Sequence, residues 1–237
     1  MPSPYNLQVT HNCSTCTHRE NFCAMPASSV SMLEKIKFTA MYPKGSLLFV
    51  EGEVARGVFV LCSGKVKLTT SSSEGRTLIV RIAGPGEVLG TSAVLLHKPY
   101  EMSAETVEPC QVNFIRTEEF MAWIQNDREA MMSVARQLSG DYYAAQREIR
   151  SFGLAQTTTE KLARLVLDWC ASGGEKTDKG VRLKVLLTHE EIAQMIGTTR
   201  ETVTRLLTSL RSKKVIEVKG STVNVMRMDA LEAMVTV

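Results

Sequence analysis

The stretch Thr188-His-Glu-Glu-Ile-Ala-Gln-Met-Ile-Gly197-Thr-Thr-Arg200-Glu-Thr-Val-Thr-Arg205-Leu-Leu-Thr-Ser-Leu210 decides the fold prediction for this chain. Apolar side chains recur at helical spacing on both sides of Gly197, which predicts two short helices joined by a tight turn. Thr188 and Thr199 stand where N-cap residues would begin these helices. Two such helices, the second with a polar row on its open face, are typical of a helix-turn-helix. The pattern alone also fits an ordinary helical hairpin with a solvated face.

The residues after this stretch favour the first interpretation. Residues 215–218 and 222–225 are β-type runs around Lys219-Gly220, which predicts a two-stranded wing. Between residues 182 and 220, eight Lys/Arg stand against four Asp/Glu, although the net charge of the whole chain is only +3. The basic charge is therefore concentrated where DNA phosphates would need it. We predict a winged helix-turn-helix domain over residues 154–237 that binds double-stranded DNA.

Length and composition exclude several classes of protein. The chain has 237 residues, 44% of them apolar, which suffices for two domains with real cores. The sequence shows no charged-then-apolar leader and no apolar run of about 18 residues, so we expect a cytoplasmic protein. It also shows no Gly-rich nucleotide loop, flavin motif or Ser/His/Asp arrangement, and we therefore do not expect an enzyme. A redox enzyme or electron carrier is the alternative class that would use the same cysteines.

Six cysteines without a signal peptide indicate metal or redox chemistry rather than a disulfide framework. Cys13, Cys16 and Cys23 lie close together in a polar segment, residues 1–30. A C-x2-C pair can bring two sulfur atoms to one metal, and Cys23 adds a third. The spacing leaves open a zinc site completed by His11 or His18, an iron–sulfur cluster, a thiol–disulfide switch or an unused reduced tail.

Residues 31–127 have the pattern of an antiparallel β domain. Glycines recur through the segment and separate short β-type runs at residues 46–50, 57–61, 65–69, 77–82 and 111–115. Many short strands with frequent Gly turns predict a sandwich or small barrel rather than a parallel sheet. With the helices that follow, the predicted fold class is α+β.

A long helix is predicted over residues 128–153. Apolar and small residues alternate spacings of three and four through three heptads, which is the a/d seam of a two-stranded coiled coil. The seam consists of Met131, Ala135, Leu138, Tyr142, Ala145, Ile149 and Phe152. Because no charge falls on the seam, we predict a homodimer. Packing on the β domain of the same chain is the alternative for the Met131 end, and residues 153–156 form the predicted hinge.

The segment Arg200-Glu-Thr-Val-Thr-Arg205 resembles the recognition-helix motif of the Crp/Fnr superfamily of bacterial transcription regulators, and weaker similarity extends over nearly the whole chain. The resemblance implies a β-roll (jelly-roll-like) sensor domain, a dimerisation helix and a winged reader of DNA, with RNA polymerase as an expected partner. The cysteine pattern looks like the fumarate–nitrate reductase regulator (FNR) type, whose members hold a [4Fe–4S] cluster. That likeness implies an oxygen or nitric oxide sensor with Cys13, Cys16, Cys23 and Cys110 as cluster ligands.

The remaining cysteines fall outside the set that this resemblance implies. Cys62 and Cys170 lie within apolar runs, and we expect them in the core. The gap between Cys16 and Cys23 is one residue longer than in the FNR type, which a loop can absorb.

The resemblance also bears on cyclic nucleotides. In the cAMP receptor branch, a Gly-Glu-Leu turn and an Arg-Ser pair grip ribose and phosphate. The corresponding residues here are Gly90-Thr91-Ser92 and Met102-Ser103, so the carboxylate and the guanidinium are missing. A buried phosphate without a cationic partner is poorly compensated. We therefore expect a roll that does not bind cAMP.

The first turns of the second helix carry the side chains that would read DNA. Base-edge contacts are expected from Arg200, Glu201, Thr204 and Arg205, and phosphate contacts from Thr188, Thr199, Thr202 and Lys219. Arginine pairs bidentately with guanine, and glutamate accepts from the cytosine amino group. A homodimer would read a palindrome, with half-sites closer to TGTGA than to TTGAT.

Overall fold

The computed structural model describes residues 12, 13, 16, 21–154 and 157–235, with the backbone alone at Asn21, Glu148 and residues 151–154. The chain divides into two compact units, Met1–Ala144 and Ala145–Val237. The first unit consists mainly of β-strands with flanking helices, and the second combines helices with a small sheet. The predicted α+β architecture is therefore confirmed. Within the described residues, no helix is long and apolar enough to cross a membrane.

The first unit is a β-roll with helices packed against it. Its elements in chain order are a 3-10 helix (Asn21–Cys23), α1 (Ala27–Ile36), β1 (Phe38–Tyr42), β2 (Leu47–Phe49), β3 (Gly57–Ser63), β4 (Val66–Ser71), β5 (Thr77–Ala83), β6 (Val88–Leu89), α2 (Thr91–Leu96), β7 (Ser103–Thr106), β8 (Cys110–Arg116), α3 (Thr117–Asn126) and the part of α4 (Arg128–Leu154) up to Ala144. The strands form antiparallel sheets ordered β1-β8-β3-β6 and β2-β7-β4-β5. The runs predicted from the sequence are present as β2, β3, β4, β5 and β8.

Buried side chains form one cluster inside the roll and another between the roll and the helices. Inside the roll, the rings of Phe49 and Tyr100 stack with centroids 4.1 Å apart. Between the roll and helices α1, α3 and α4, Phe22 meets Trp123 edge to face at 5.9 Å. Burial of large aromatic side chains stabilises each cluster mainly through the hydrophobic effect.

Helix α4 presents a buried face to the roll. Asp127 accepts hydrogen bonds from the backbone N–H groups of Glu129 and Ala130 and so caps the start of the helix. Ala130 and Val134 are buried in the cluster between the roll and the helices. The first turns of α4 are thus fixed to the β-roll of their own chain.

The predicted dimer seam lies beside this buried face and remains largely uncovered. The side chains of Met131, Tyr142 and Ile149 are 38%, 68% and 69% exposed, and Ala135 and Ala145 are also exposed. Leu138 differs, because it lies four residues after Val134 and packs partly against the same cluster. The side chain of Phe152 lies outside the described residues.

The second unit is a winged helix-turn-helix. Its elements are α5 (Thr158–Gly173), β9 (Glu175–Thr177), β10 (Gly180–Lys184), α6 (His189–Ile196), α7 (Arg200–Ser212), β11 (Ile216–Lys219), β12 (Thr222–Val225) and α8 (Met228–Glu232). The sheet order is β11-β12-β10-β9. Strands β11 and β12 form the predicted wing, and Gly220 takes the left-handed conformation, with φ of +60°, at its turn. Apolar side chains of the helices and the sheet form one buried cluster.

Candidate functional site

A cavity at the edge of the β-roll is lined by cysteines. It lies between residues 12, 13 and 16, the 3-10 helix, α1, the end of β3 and the β5–β6 turn. The lining residues are Asn12, Cys13, Cys16, Cys23, Met25, Val30, Leu33, Leu61, Cys62 and Gly86. Apart from Asn12, the side chains of this wall are apolar or thiol groups. The structure therefore brings together the N-terminal cysteines predicted from the sequence and adds Cys62 to them.

An irregularity in β3 accounts for the position of Cys62. Leu61 pairs with Val112 and Ser63 pairs with Gln111, so Cys62 is an additional residue between two consecutive partners on β8. Such a β-bulge re-aims the side chain of the inserted residue. Cys62 consequently faces the cavity although the run around it is apolar.

Nitrogen donors point at the sulfur atoms of the cavity. Lys37 Nζ donates to Cys13 Sγ at 3.2 Å. Asn113 Nδ2 donates to Cys13 Sγ at 3.4 Å and to Cys62 Sγ at 3.1 Å. These two sulfur atoms are therefore at most 6.5 Å apart, the sum of the two distances. The Asn113 carboxamide is held in this orientation because its Oδ1 accepts from Thr39 Oγ1 at 2.7 Å.

The cavity disfavours the ionised form of its cysteines where no positively charged partner is present. Burial, followed by the negative charges of Cys13 and Cys16, raises the pKa of Cys23 from 9.0 to about 12. Burial, followed by Cys13 and Cys23, raises the pKa of Cys62 from 9.0 to about 12. Burial by itself would lower the pKa of Lys37, but the hydrogen bond and charge of Cys13 raise it. A bound cation or cluster would add to the charge of Lys37 in stabilising several thiolates here.

Cys110, the fourth ligand that the resemblance implies, is not among the residues that line this cavity. Its fully buried side chain belongs to the cluster inside the roll, and its Sγ donates to the carbonyl oxygens of Glu108 at 3.2 Å and Lys65 at 3.4 Å. Cys62, which we expected in the core, is half-buried and lines the cavity instead. Cys170 packs against the core of the second unit, as predicted.

The cysteines that line the cavity are not arranged to bind a single metal ion. Among the described residues, no three His, Cys, Asp or Glu side chains lie close enough together to hold one metal ion as they stand. One tetrahedral zinc would need sulfur atoms about 3.8 Å apart. His11 and His18, the candidate zinc ligands, lie outside the described residues.

The helix-turn-helix has the local structure that its sequence predicts. The Thr188 side chain accepts from the Glu191 N–H while the Glu191 carboxylate accepts from the Thr188 N–H, which makes a capping box for α6. Gly197 ends α6 in the left-handed conformation, with φ of +66°. Thr199 caps α7 by accepting from the Thr202 N–H. On the inner side of α7, Val203 and Leu210 are buried.

The residues predicted to read base edges form an open surface at the start of α7. Arg200, Glu201, Thr204 and Arg205 are all exposed. The Thr204 hydroxyl donates to the Arg200 carbonyl oxygen at 2.9 Å and lies 2.9 Å from His189 Nδ1. His189 was missed at the sequence level, because only the fold brings the start of α6 next to α7.

The residues predicted to contact phosphates are less uniform. Thr188 and Thr199 are exposed caps, whereas Thr202 is half-buried with its hydroxyl 3.1 Å from that of Thr199. Lys219, on the wing, is exposed and forms an ion pair with Glu217 at 3.0 Å. A phosphate contact from Lys219 would therefore compete with this exposed pair, which is a weak interaction.

The residues compared above with the cyclic-nucleotide site of the cAMP receptor branch contact other residues of the roll. Thr91 is buried at the start of α2, and the ring of Tyr100 lies against Gly90. The Ser103 hydroxyl accepts from the Glu51 backbone N–H at 2.9 Å. The Glu51 carboxylate accepts in turn from Thr70 and Ser71. A carboxylate near Ser103 would repel a phosphate rather than bind it.

Comparisons with known proteins agree with this two-part organisation. A family profile described as "Cyclic nucleotide-binding domain" matches residues 39–127, and one described as "Crp-like helix-turn-helix domain" matches residues 160–234. The CRP-like cAMP-activated global transcriptional regulator of Mycobacterium tuberculosis (strain ATCC 25618 / H37Rv) is 25% identical over 202 residues, covering 85% of this chain and 90% of the relative. The anaerobic regulatory protein of Bacillus subtilis (strain 168) is 25% identical over 191 residues, covering 80% of each chain. These relatives are transcription regulators rather than enzymes.

Solved structures show the same fold. FixK2 from Bradyrhizobium japonicum superposes with a TM-score of 0.73 at 19% identity, covering 85% of this chain and 98% of that chain. The global regulator CLP from Xanthomonas campestris superposes with a TM-score of 0.76 at 20% identity, covering 85% of this chain and all of that chain. At these identities the structural likeness establishes the fold alone. The two sequence profiles and the helix-turn-helix described above show that the chain belongs to the Crp/Fnr family of DNA-binding transcription regulators.

Proposed function

We propose that this regulator senses oxygen or nitric oxide through a [4Fe–4S] cluster held by cysteines of the cavity, and that it binds a palindromic DNA site as a homodimer. The observation that carries the proposal is the convergence of Cys13, Cys16, Cys23 and Cys62 on one cavity at the edge of the roll. Zinc binding and a thiol–disulfide switch are the alternatives that the experiment below separates from it.

The donor set fits an iron–sulfur cluster. The cavity offers several thiol groups, and soft thiolates in sets of four are the usual ligands of such clusters. Lys37 and Asn113 already donate to the sulfur atoms of Cys13 and Cys62. Donors of this kind stabilise negative charge on cysteine ligands and adjust the reduction potential of a cluster. Among the described residues no three His, Cys, Asp or Glu side chains are grouped to hold one metal ion, which counts against a single zinc ion.

The cavity is joined to helix α4 through the β5–β6 turn of the same unit. Phe22, next to Cys23, donates its backbone N–H to the Gly86 carbonyl oxygen at 3.0 Å. Two residues later, the Val88 N–H and C=O both bond to the Gln137 side chain of α4, at 2.9 and 2.7 Å. Arg81 of β5 also pairs with Glu87 of this turn and, at 3.4 Å, with Asp141 of α4. A change in the backbone around Cys23 therefore has a short bonded route to α4.

The exposed seam of α4 supports dimerisation. Regulators of this family act as dimers on DNA, and Met131, Tyr142 and Ile149 are uncharged seam residues whose side chains are 38% to 69% exposed in the single chain. Burying this row against a second copy would remove its apolar surface from water. When bound, an iron–sulfur cluster would supply reactivity with oxygen or nitric oxide, and its loss would alter the packing beside Cys23. By linkage, that alteration shifts the affinity for DNA.

Cyclic AMP is not the signal in this proposal, although relatives of this chain include cAMP-activated regulators. The roll has Met102 where the cAMP receptor branch has a cationic side chain, and Ser103 already accepts a hydrogen bond from the Glu51 N–H. A cyclic phosphate placed there would be desolvated without a compensating charge.

The test is anaerobic purification followed by metal and sulfide analysis. We expect brown protein with about four iron and four acid-labile sulfide per chain, bleached by air, with a change in affinity for DNA on bleaching. Calorimetry with cAMP should show no binding at micromolar concentration. Stoichiometric zinc without sulfide in anaerobic protein would establish the zinc alternative instead, and anaerobic protein without any metal would favour the thiol–disulfide switch.

A further inference from the structure

We infer that Cys62, on the β-bulge of β3, is the fourth cysteine ligand of the cluster, in place of Cys110. This inference rests on the proposed function. It assigns the ligand to a different strand from the one that the cysteine pattern implied, and it leaves Cys110 with a purely structural role.

The first argument is the shared donor between Cys62 and Cys13. Asn113 Nδ2 lies between the two sulfur atoms, at 3.1 Å from Cys62 and 3.4 Å from Cys13. A ligand pair held by one carboxamide is already positioned before any metal enters, because Thr39 fixes the rotamer of that carboxamide. Thiolates that accept such hydrogen bonds are stabilised as metal ligands.

The second argument is the direction of Cys110 on β8. Side chains alternate between the faces of a strand, so Cys110 and Val112 share one face while Gln111 and Asn113 share the other. Cys110 and Val112 belong to the cluster inside the roll, whereas Asn113 points to the cysteine cavity. Bringing Cys110 to the cavity would require a one-residue slip of β8, which is paired with β1 on one side and β3 on the other. Such a slip would turn every side chain of the strand to the wrong face.

The third argument is that Cys110 already has a structural use. Its sulfur donates to the carbonyl oxygens of Glu108 and Lys65, and a Cβ built on Gly64 would come within 2.6 Å of it. The absence of a side chain at Gly64 makes room for the Cys110 thiol. Cys62, by contrast, is only half-buried, and the inserted residue of a bulge can adjust without breaking the ladder.

The inference is tested with Cys62→Ala, Cys110→Ala and Cys170→Ala, each purified anaerobically as the full chain. We expect Cys62→Ala to contain about a tenth, or less, of the iron and sulfide that wild type contains. Cys110→Ala and the matched control Cys170→Ala should keep the wild-type content and the wild-type absorption spectrum. Cys62→Ser, which keeps a weak oxygen ligand, should bind a more labile cluster with an altered spectrum.

Thermal melting of each cluster-free protein separates loss of a ligand from loss of the fold. Cys62→Ala should melt close to wild type, because the thiol is half-buried at a bulge. Retention of the full cluster in Cys62→Ala together with its loss in Cys110→Ala would overturn the inference while leaving the proposed function intact. Loss in both variants at unchanged melting temperature would also contradict it. Wild-type protein without iron and sulfide would overturn the proposed function itself.

Discussion

Replacing Gln137 should destabilise the β-roll, because this side chain satisfies both backbone polar groups of one buried residue. Gln137 Oε1 accepts from the Val88 N–H at 2.9 Å, and Nε2 donates to the Val88 carbonyl oxygen at 2.7 Å. Val88 is only 3% exposed, so water cannot readily replace these two hydrogen bonds. The Thr91 hydroxyl lies 3.5 Å from the same carbonyl oxygen and is a weak substitute.

The magnitude follows from these two contacts. A buried polar group left without a partner costs about 1–3 kcal/mol, so Gln137→Ala should lower the free energy of unfolding by about 2–4 kcal/mol. Gln137→Met keeps the length of the side chain without its donor and acceptor, and it should cost nearly as much. Arg136→Ala is the matched control, because Arg136 is an exposed neighbour on the same helix; it should stay within about 0.5 kcal/mol of wild type.

The assay is urea unfolding at one protein concentration, followed by fluorescence. The chain has two tryptophans, with Trp123 in the first unit and Trp169 in the second, so a Trp169→Phe background makes Trp123 report on the roll alone. With a slope of roughly 1–3 kcal/mol per M, the midpoint should fall by about 1–2 M. If Gln137→Met unfolds at the same urea concentration as Arg136→Ala, the two hydrogen bonds do not hold the turn to α4 and the reasoning is refuted.

Further predictions concern DNA and pH. Arg205→Ala should weaken binding to a palindromic site by about 1–3 kcal/mol and relax one base position, whereas Lys219→Ala should weaken all sequences evenly and reduce the salt slope by about one, as measured by fluorescence anisotropy. Selected half-sites without any G·C pair would contradict the roles of Arg205 and Glu201. In reduced, cofactor-free protein, unfolding releases the thiol protons of Cys23 and Cys62 from about pH 9, while the folded state keeps them until about pH 12. The free energy of unfolding should therefore decline as pH rises through that range, and its slope against pH should flatten in a Cys23→Ala/Cys62→Ala double variant. If urea titrations of that variant give the wild-type slope, the raised thiol pKa values do not explain the decline.

The helix-turn-helix could be predicted from the sequence because its signals are local. The threonine caps, Gly197 and the helical spacing each act within one or two turns, and tertiary contacts do not override them. The wing and the longer strands were predictable for the same reason, since a Gly turn between β-type runs is a short-range signal. Strands β1, β6, β7 and β9 were not predicted from the sequence, because what holds them is pairing with neighbouring strands.

The cysteine site shows where sequence reasoning stops. An apolar run around Cys62 predicts a regular buried strand, and the bulge that turns this residue outward is a property of its pairing with β8. The resemblance indicated a position for Cys110, but the face of a strand depends on register, which pattern alone did not fix. Lys37 and Asn113 lie far from Cys13 in sequence and meet it only in the folded roll.

The burial of Phe22 limits how the cysteine-carrying segment of this regulator can be deleted or exchanged. The ring is fully buried against Trp123, one residue before Cys23, and its backbone N–H is bonded to Gly86. Loss of a buried phenylalanine typically costs about 3–5 kcal/mol. The segment that carries the cysteines therefore contributes to the stability of the roll. It cannot be exchanged as an independent module. Deleting it would yield an unstable roll rather than a regulator freed of its signal.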